Sequence, residues 1–188
     1  MGPDEQDRKR REFEETALVH MNSIYSAALR LTRNKTEAED LFQETFLRAY
    51  RFFHQFRRGS NCRAWLFAIL HSLFINRVRQ SSHPLVDFNE EQVYREGGAE
   101  SSLPGDPEVD LFRRLAGEDI QRALAGLPSK LRAVVVLADL EGCSYREIAE
   151  ICGCPIGTVM SRLYRGRRAL RMALHDYAKG RDAAQEQG

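Results

Sequence analysis

The chain has 188 residues, 43% hydrophobic and 29% charged, which places it among foldable globular proteins rather than disordered ones. No apolar run approaches the ~20 residues of a membrane span, and the charged start MGPDEQDRKRREFEE carries no apolar signal core. The formal net charge of +1 hides a lopsided distribution: five arginines and no acid from Pro155 to Leu174, but eight acids against one base from Val86 to Asp110.

In chain order, residues 13–33 set Ala17, Ile24, Ala28 and Leu31 at helical spacing, with Tyr25 and Leu29 widening the face. Thr36 and Glu39 form a capping box for a second helix carrying Ala38, Leu41, Phe42, Thr45, Phe46 and Ala49 on one side. Its acids Glu37, Glu39, Asp40 and Glu44 cluster near the start, where the helix dipole favours them. Arg58-Gly59-Ser60 breaks the pattern, and Ser60 or Asn61 caps a third helix running to about Arg79 over Trp65, Leu66, Ile69, Leu73 and Phe74. Residues 81–110 then combine three prolines and three glycines with the acid excess, which reads as a linker extended by self-repulsion.

Four helical segments follow, at roughly 111–125, 129–140, 144–152 and 155–177. Val134-Val135-Val136 is the sole β-branched run and lies inside a helical period, so an all-α chain is expected, in two small domains. Ser144 and Glu147 form a capping box, Gly153 a sharp stop, and Pro155 fits the first turn of a new helix. Two helices across a short glycine turn make a helix-turn-helix, whose second helix enters the major groove. Thr158, Ser161, Arg162, Arg165 and Arg168 are the side chains expected to face DNA there, as phosphate and base-edge donors.

The cysteines Cys62, Cys143, Cys152 and Cys154 are too few and scattered for a disulfide framework and are expected reduced, in a cytoplasm. Cys152-Gly153-Cys154 has the spacing of a metal clip, yet no second ligand pair accompanies it, so the thiols read as small hydrophobes. Cys143, in a turn, is expected to be the most exposed. No catalytic constellation, metal site or cofactor is expected.

AEDLFQETFLRAY, FRRGSNCRAWLFAIL with INRVR, and SYREIAEICGCPIGTVMSRLYRGRRAL together resemble the extracytoplasmic-function (ECF) sigma factors of bacterial RNA polymerase, nearest the oxidative-stress branch controlled by zinc-binding anti-sigma factors. The resemblance implies sigma region 2 over 10–80, an acidic flexible linker over 81–110 and a region 4 helix-turn-helix over 111–178. It implies core-polymerase contacts at Asp40, Gln43 and Glu44. It implies −10 contacts at Phe56, Arg57, Arg58, Asn61, Asn76, Arg77 and Arg79, with His54 to Asn61 as the loop that captures a flipped base, and −35 contacts on the helix from Pro155. The implied partners are the largest and second-largest polymerase subunits, promoter DNA and an anti-sigma factor; the implied regulon is a stress one, and no enzymatic activity is expected. A stand-alone helix-turn-helix regulator is the alternative. It would bind duplex alone, usually as a symmetric dimer, and would not need the 36–79 motifs.

Overall fold

The computed structural model describes residues 3–81 and 117–185, and every regular element among them is helical. The acidic 81–110 segment lies, beyond Ser81, outside the described residues. The N-terminal unit comprises α1 (Pro3–Thr16), α2 (Met21–Thr32), α3 (Lys35–Phe52) and α4 (Cys62–Ser81). The C-terminal unit comprises α5 (Gly117–Gly126), α6 (Ser129–Val135), α7 (Tyr145–Cys152) and α8 (Ile156–Gln185).

The single helix expected over 13–33 is broken by a 3-10 turn, Leu18–His20. The break lets both sides of the periodic face find apolar partners: Phe13 packs its ring edge-on against α3, while Ile24, Ala27, Ala28 and Leu31 of α2 fill the bundle interior. The expected Thr36 box is likewise displaced. Arg33 takes a left-handed φ of 68° and ends α2, and the Asn34 side chain then accepts from Thr36 N at 2.8 Å and Glu37 N at 3.3 Å. Asparagine is as good an N-cap as threonine, so α3 starts at Lys35. Asn61 caps α4, accepting from Ala64 N at 3.0 Å. The core of this unit is Ile24, Leu41, Leu66, Phe67 and Leu70, all essentially sealed from water.

In the C-terminal unit the valine run is indeed helical and wholly buried with Leu124, Ile148, Val159, Leu163 and Leu170. After Val135 the helix widens into a π turn over Val136–Leu140, closed by Glu141 N donating to Val136 O at 3.0 Å. α8 crosses α6 so closely at Gly166 that a Cβ there would stand 2.6 Å from Val135 Cγ2. The π turn also sets Asp139 inward, where Arg167 of α8 grips it with both nitrogens at 3.1 and 2.6 Å.

Candidate nucleic-acid interface

The α7–turn–α8 element has the geometry its residues imply. Ser144 Oγ accepts from Glu147 N at 3.3 Å, and Glu147 Oε2 accepts from Ser144 N at 2.8 Å. These bonds to Ser144 hold the Glu147 carboxyl below its ordinary value. Gly153 adopts φ 61°, ψ 40°, and Pro155 O accepts from Thr158 N at 2.9 Å as α8 begins. Val159, Leu163 and Leu170 turn inward, leaving Ser161 and Arg168 exposed and Thr158 and Arg165 half-buried on the outer side. Arg165 Nε donates to Ser161 O at 3.2 Å, so the helix itself aims that guanidinium.

Two arginines of this run face elsewhere. Arg167, 11% exposed, is turned to Asp139, and that carboxylate raises its pKa. Arg162 is turned along the flank toward α4: its Nη1 is 3.8 Å from Cys154 Sγ, and it lies near enough to His71 to oppose that ring's protonation. Exposed Met160 and Ile156 stand on the leading turns of α8 instead, where the sequence argument placed only polar readers.

The expected −10 residues fall into two groups at opposite ends of α4. Asn61 and Arg79 are eighteen positions apart, about 27 Å at ~1.5 Å per helical residue. At the near end, Gly59 at φ 81° turns the loop and Ser60 N donates to Arg57 O at 3.1 Å. Phe56 is half-buried, stacked on Phe53 at 5.7 Å and tilted on Trp65 at 5.2 Å; Arg57 is exposed, while Arg58 donates to Glu12 of α1. At the far end Asn76 and Arg79 are exposed, whereas Arg77 donates to Glu44 Oε2 at 2.9 Å and to Glu37 O at 3.3 Å. A residue expected to meet polymerase and one expected to meet DNA are thus joined. Asp40 and Gln43 are exposed on α3 beside Glu44, and the same helix shows Leu47 at 69% exposure, an unpartnered apolar side chain that a charge-based reading passed over.

Polar contacts cross the seam between the two units, whose buried apolar residues form one cluster. Glu141, just past the π turn, accepts from Ser23 Oγ at 2.7 Å, Arg30 Nη1 at 2.8 Å and Arg63 Nη2 at 3.1 Å. Arg63 also donates to Glu141 O at 2.6 Å and lays its guanidinium 4.9 Å from the Phe67 ring centre. Buried Arg132 of α6 donates to Leu31 O and, at 2.8 Å, to Leu127 O, leaving its Nε without a partner; burial pushes its pKa down to about 10. Asn61 Nδ2 donates to Glu147 Oε1 at 2.7 Å, tying the loop expected to meet the −10 element to the helix-turn-helix.

The cysteines sit where packing puts them. Cys143 is buried, contrary to the exposed position expected of a turn residue, because the π turn folds it under Arg63 against the seam. Burial pushes its thiol up to about 11 and that of Cys152 up to about 12, far from thiolate chemistry. Among the described residues no group of three or more His, Cys, Asp or Glu is placed to hold a metal ion.

Comparison with known proteins matches residues 18–83 to the sigma-70 region 2 model and residues 117–170 to the sigma-70 region 4 model. The chain is 35% identical over 171 residues to the ECF RNA polymerase sigma factor SigW of Bacillus subtilis, covering 87% of this chain and 89% of that one. It is 37% identical over 172 residues to the ECF RNA polymerase sigma factor SigE of Mycolicibacterium smegmatis, covering 85% of this chain but 60% of that longer protein. Among solved structures, the sigma factor RpoE of Bartonella quintana in complex with the anti-sigma factor NepR is similar, with a TM-score of 0.67 and 31% identity over 88% of this chain and 98% of that one.

Proposed function

The chain belongs to the ECF sigma factors of the sigma-70 family, and from that premise we propose how its residues divide the work. It directs RNA polymerase core to −10/−35 promoters and assists their opening; its partners are the core enzyme, promoter DNA and an anti-sigma factor. The family acts as transcription initiation factors, and in our reading this member has no catalysis of its own and works in the cytoplasm, on a stress regulon. No helix among the described residues is long and apolar enough to cross a membrane.

We assign residues 10–80 to region 2 and 111–178 to region 4. The observation that carries the division is the outer face of α8, where Ser161, Arg165 and Arg168 sit at one helical stripe opposite buried Val159, Leu163 and Leu170. Hydroxyls and guanidiniums so placed take phosphates and guanine edges in a major groove. Arg162 and Thr158 flank that stripe. At the other end, Phe56, Arg57, Arg58 and Asn61 hold an unpaired base by stacking, phosphate contact and edge hydrogen bonds. Asn76, Arg77 and Arg79 continue along the duplex border, and Asp40, Gln43 and Glu44, with Leu47, face core polymerase.

This reading requires the seam to part. Elements named −10 and −35 lie about 25 base pairs apart, or about 85 Å at ~3.4 Å per step. Here the two readers touch through Asn61 and Glu147. The 35 residues from 82 to 116 can span up to about 115 Å when extended, so the chain length permits the separation. Its likeness to a sigma factor bound to an anti-sigma factor supports taking the seamed arrangement as the off state.

Transcription by core polymerase over a genomic promoter library, with and without the chain, tests the assignment. Added chain should create discrete new start sites, and Arg165→Ala with Arg168→Ala should abolish those that depend on a −35 element. Failure to create any new start site would sink the proposal.

A further inference from the structure

The region 2 match begins at residue 18, so α1 lies outside it, yet α1 is built into the support of the −10 loop. Phe13, 5% exposed, meets three rings edge-on: Phe46 at 6.4 Å, Tyr50 at 5.1 Å and Phe53 at 5.2 Å. Phe53 carries the relay onward, stacking on Phe56 and tilting against Trp65 at 6.4 Å, and Phe56 is the residue from which the loop departs. One position earlier, Glu12 accepts from Arg58 Nη2 across 46 residues of sequence. Lys9 sits 4.7 Å over the Tyr50 ring and presses the same turn of α1 onto α3. Two adjacent α1 residues therefore hold the loop at two points: Phe13 through the aromatic floor and Glu12 through a charged latch on the loop itself.

We propose that Phe13 and Glu12 are positioning residues for promoter opening: α1 sets the posture in which the Phe56–Asn61 loop receives an unpaired base. The inference rests on the −10 role assigned to that loop. Neither residue meets DNA in this scheme. Phe13 fixes the plane of Phe53 and so of Phe56, since edge-to-face ring contacts have preferred geometry. Glu12 restrains an arginine that would otherwise sweep through many rotamers, and preorganisation of a binding loop lowers the ordering cost at the moment a ligand arrives. Both effects fall on the opening step, because the −35 contacts lie on α8.

The experiment uses the full chain in holoenzyme. Closed-complex formation is measured on duplex promoter, and opening by permanganate reactivity of thymines in the −10 element, on duplex and on a template already unpaired there. Of the three ring contacts of Phe13, the one to Phe53 leads to the loop, and losing one well-formed ring contact should slow opening by up to about tenfold. Phe13→Ala should therefore open duplex several-fold to tenfold slower, with closed-complex affinity within about twofold, and the unpaired template should restore most of the loss. Phe13→Leu should recover part of it. Glu12→Ala, at a surface position that does not threaten folding, should show the same pattern at about threefold. Phe56→Ala and Asn61→Ala serve as loop standards. If those standards are defective while both α1 variants open at the wild-type rate, the inference is wrong and the −10 assignment stands. If the standards open normally too, the −10 assignment fails and takes the inference with it. Equal loss of closed complex and opening, alongside lost helicity in the α1 variants, would reduce α1 to a plain structural prop and also overturn the proposal.

Discussion

The interior of each helical unit and the seam between them are made of different chemistry. Inside, contact is carried by Ile24, Leu41, Leu66 and Phe67 on one side and by Leu124, Val134, Ile148 and Leu163 on the other. Between them, that apolar cluster continues, but it is crossed by hydrogen bonds and ion pairs: Glu141 with Arg30, Arg63 and Ser23, Arg132 on Leu31 O, and Asn61 on Glu147. Apolar surface that parts must be rehydrated at about 25 cal/mol per Å², whereas charged groups that part regain water as strong partners. The polar contacts of the seam therefore resist parting less than the apolar packing of the cores does.

The largest effects should come from within a unit. Asp139→Ala would strand Arg167 beside a buried cavity; breaking one side of a buried ion pair typically costs about 3–5 kcal/mol. The C-terminal unit should melt earlier in urea while the N-terminal unit keeps its protection against hydrogen exchange. Leu66→Ala should do the reverse, at about 2–5 kcal/mol for a fully buried leucine. Simultaneous melting of both units in either variant would show that the seam couples them as tightly as a core does.

Glu141→Ala should act differently. Arg30 and Arg63 are each roughly one-third exposed, so both can turn to solvent once their acceptor is gone. Stability within each unit should change by only about 1 kcal/mol or less, yet the mean distance between dyes placed on α3 and α5 should lengthen. Unchanged transfer efficiency would mean that Arg132 and Asn61 hold the seam without Glu141.

Much of this was legible in the residues, and the misses have two causes, a rival local pattern and partners far along the chain. The helix-turn-helix, its capping box and its glycine stop are local, and local rules found them. The Asn34 cap was obscured by an equally good local pattern at Thr36, and only the left-handed Arg33 decides between them. Arg167 and Arg162 look alike in a basic run; what separates them is Asp139, twenty-eight residues upstream of Arg167, and His71, on the other unit. An acid inside the apolar run VVVLADL was the available signal for the first. Nothing local marks Glu141 as a clamp, because its partners lie more than seventy residues away, and the π turn that aims it has no sequence signature of its own.

The smallest expected effect is also the most specific to the seam. Burial, and then the nearby Arg162 guanidinium, push His71 from its ordinary 6.5 down to about 4. Arg162 belongs to α8 and His71 to α4, so parting the units withdraws the guanidinium and raises the His71 pKa toward its ordinary value. The open form then binds a proton that the seamed form refuses. Linkage fixes the direction: the seam is favoured by neutral His71 at and above pH 7 and weakens as pH falls through 6.5 toward about 4. With full recovery of the ordinary value, lowering pH from 7.5 to 6.0 shifts the equilibrium toward the open form by about fourfold. That window lies above the ordinary carboxylate range, and the bonds to Ser144 hold the Glu147 carboxyl lower still. The same dye pair, followed from pH 7.5 to 6.0, should report a growing extended population in the wild-type chain and a flat one in His71→Gln. An equal slope in both would assign the acid response to another group and remove His71 from the seam's energetics.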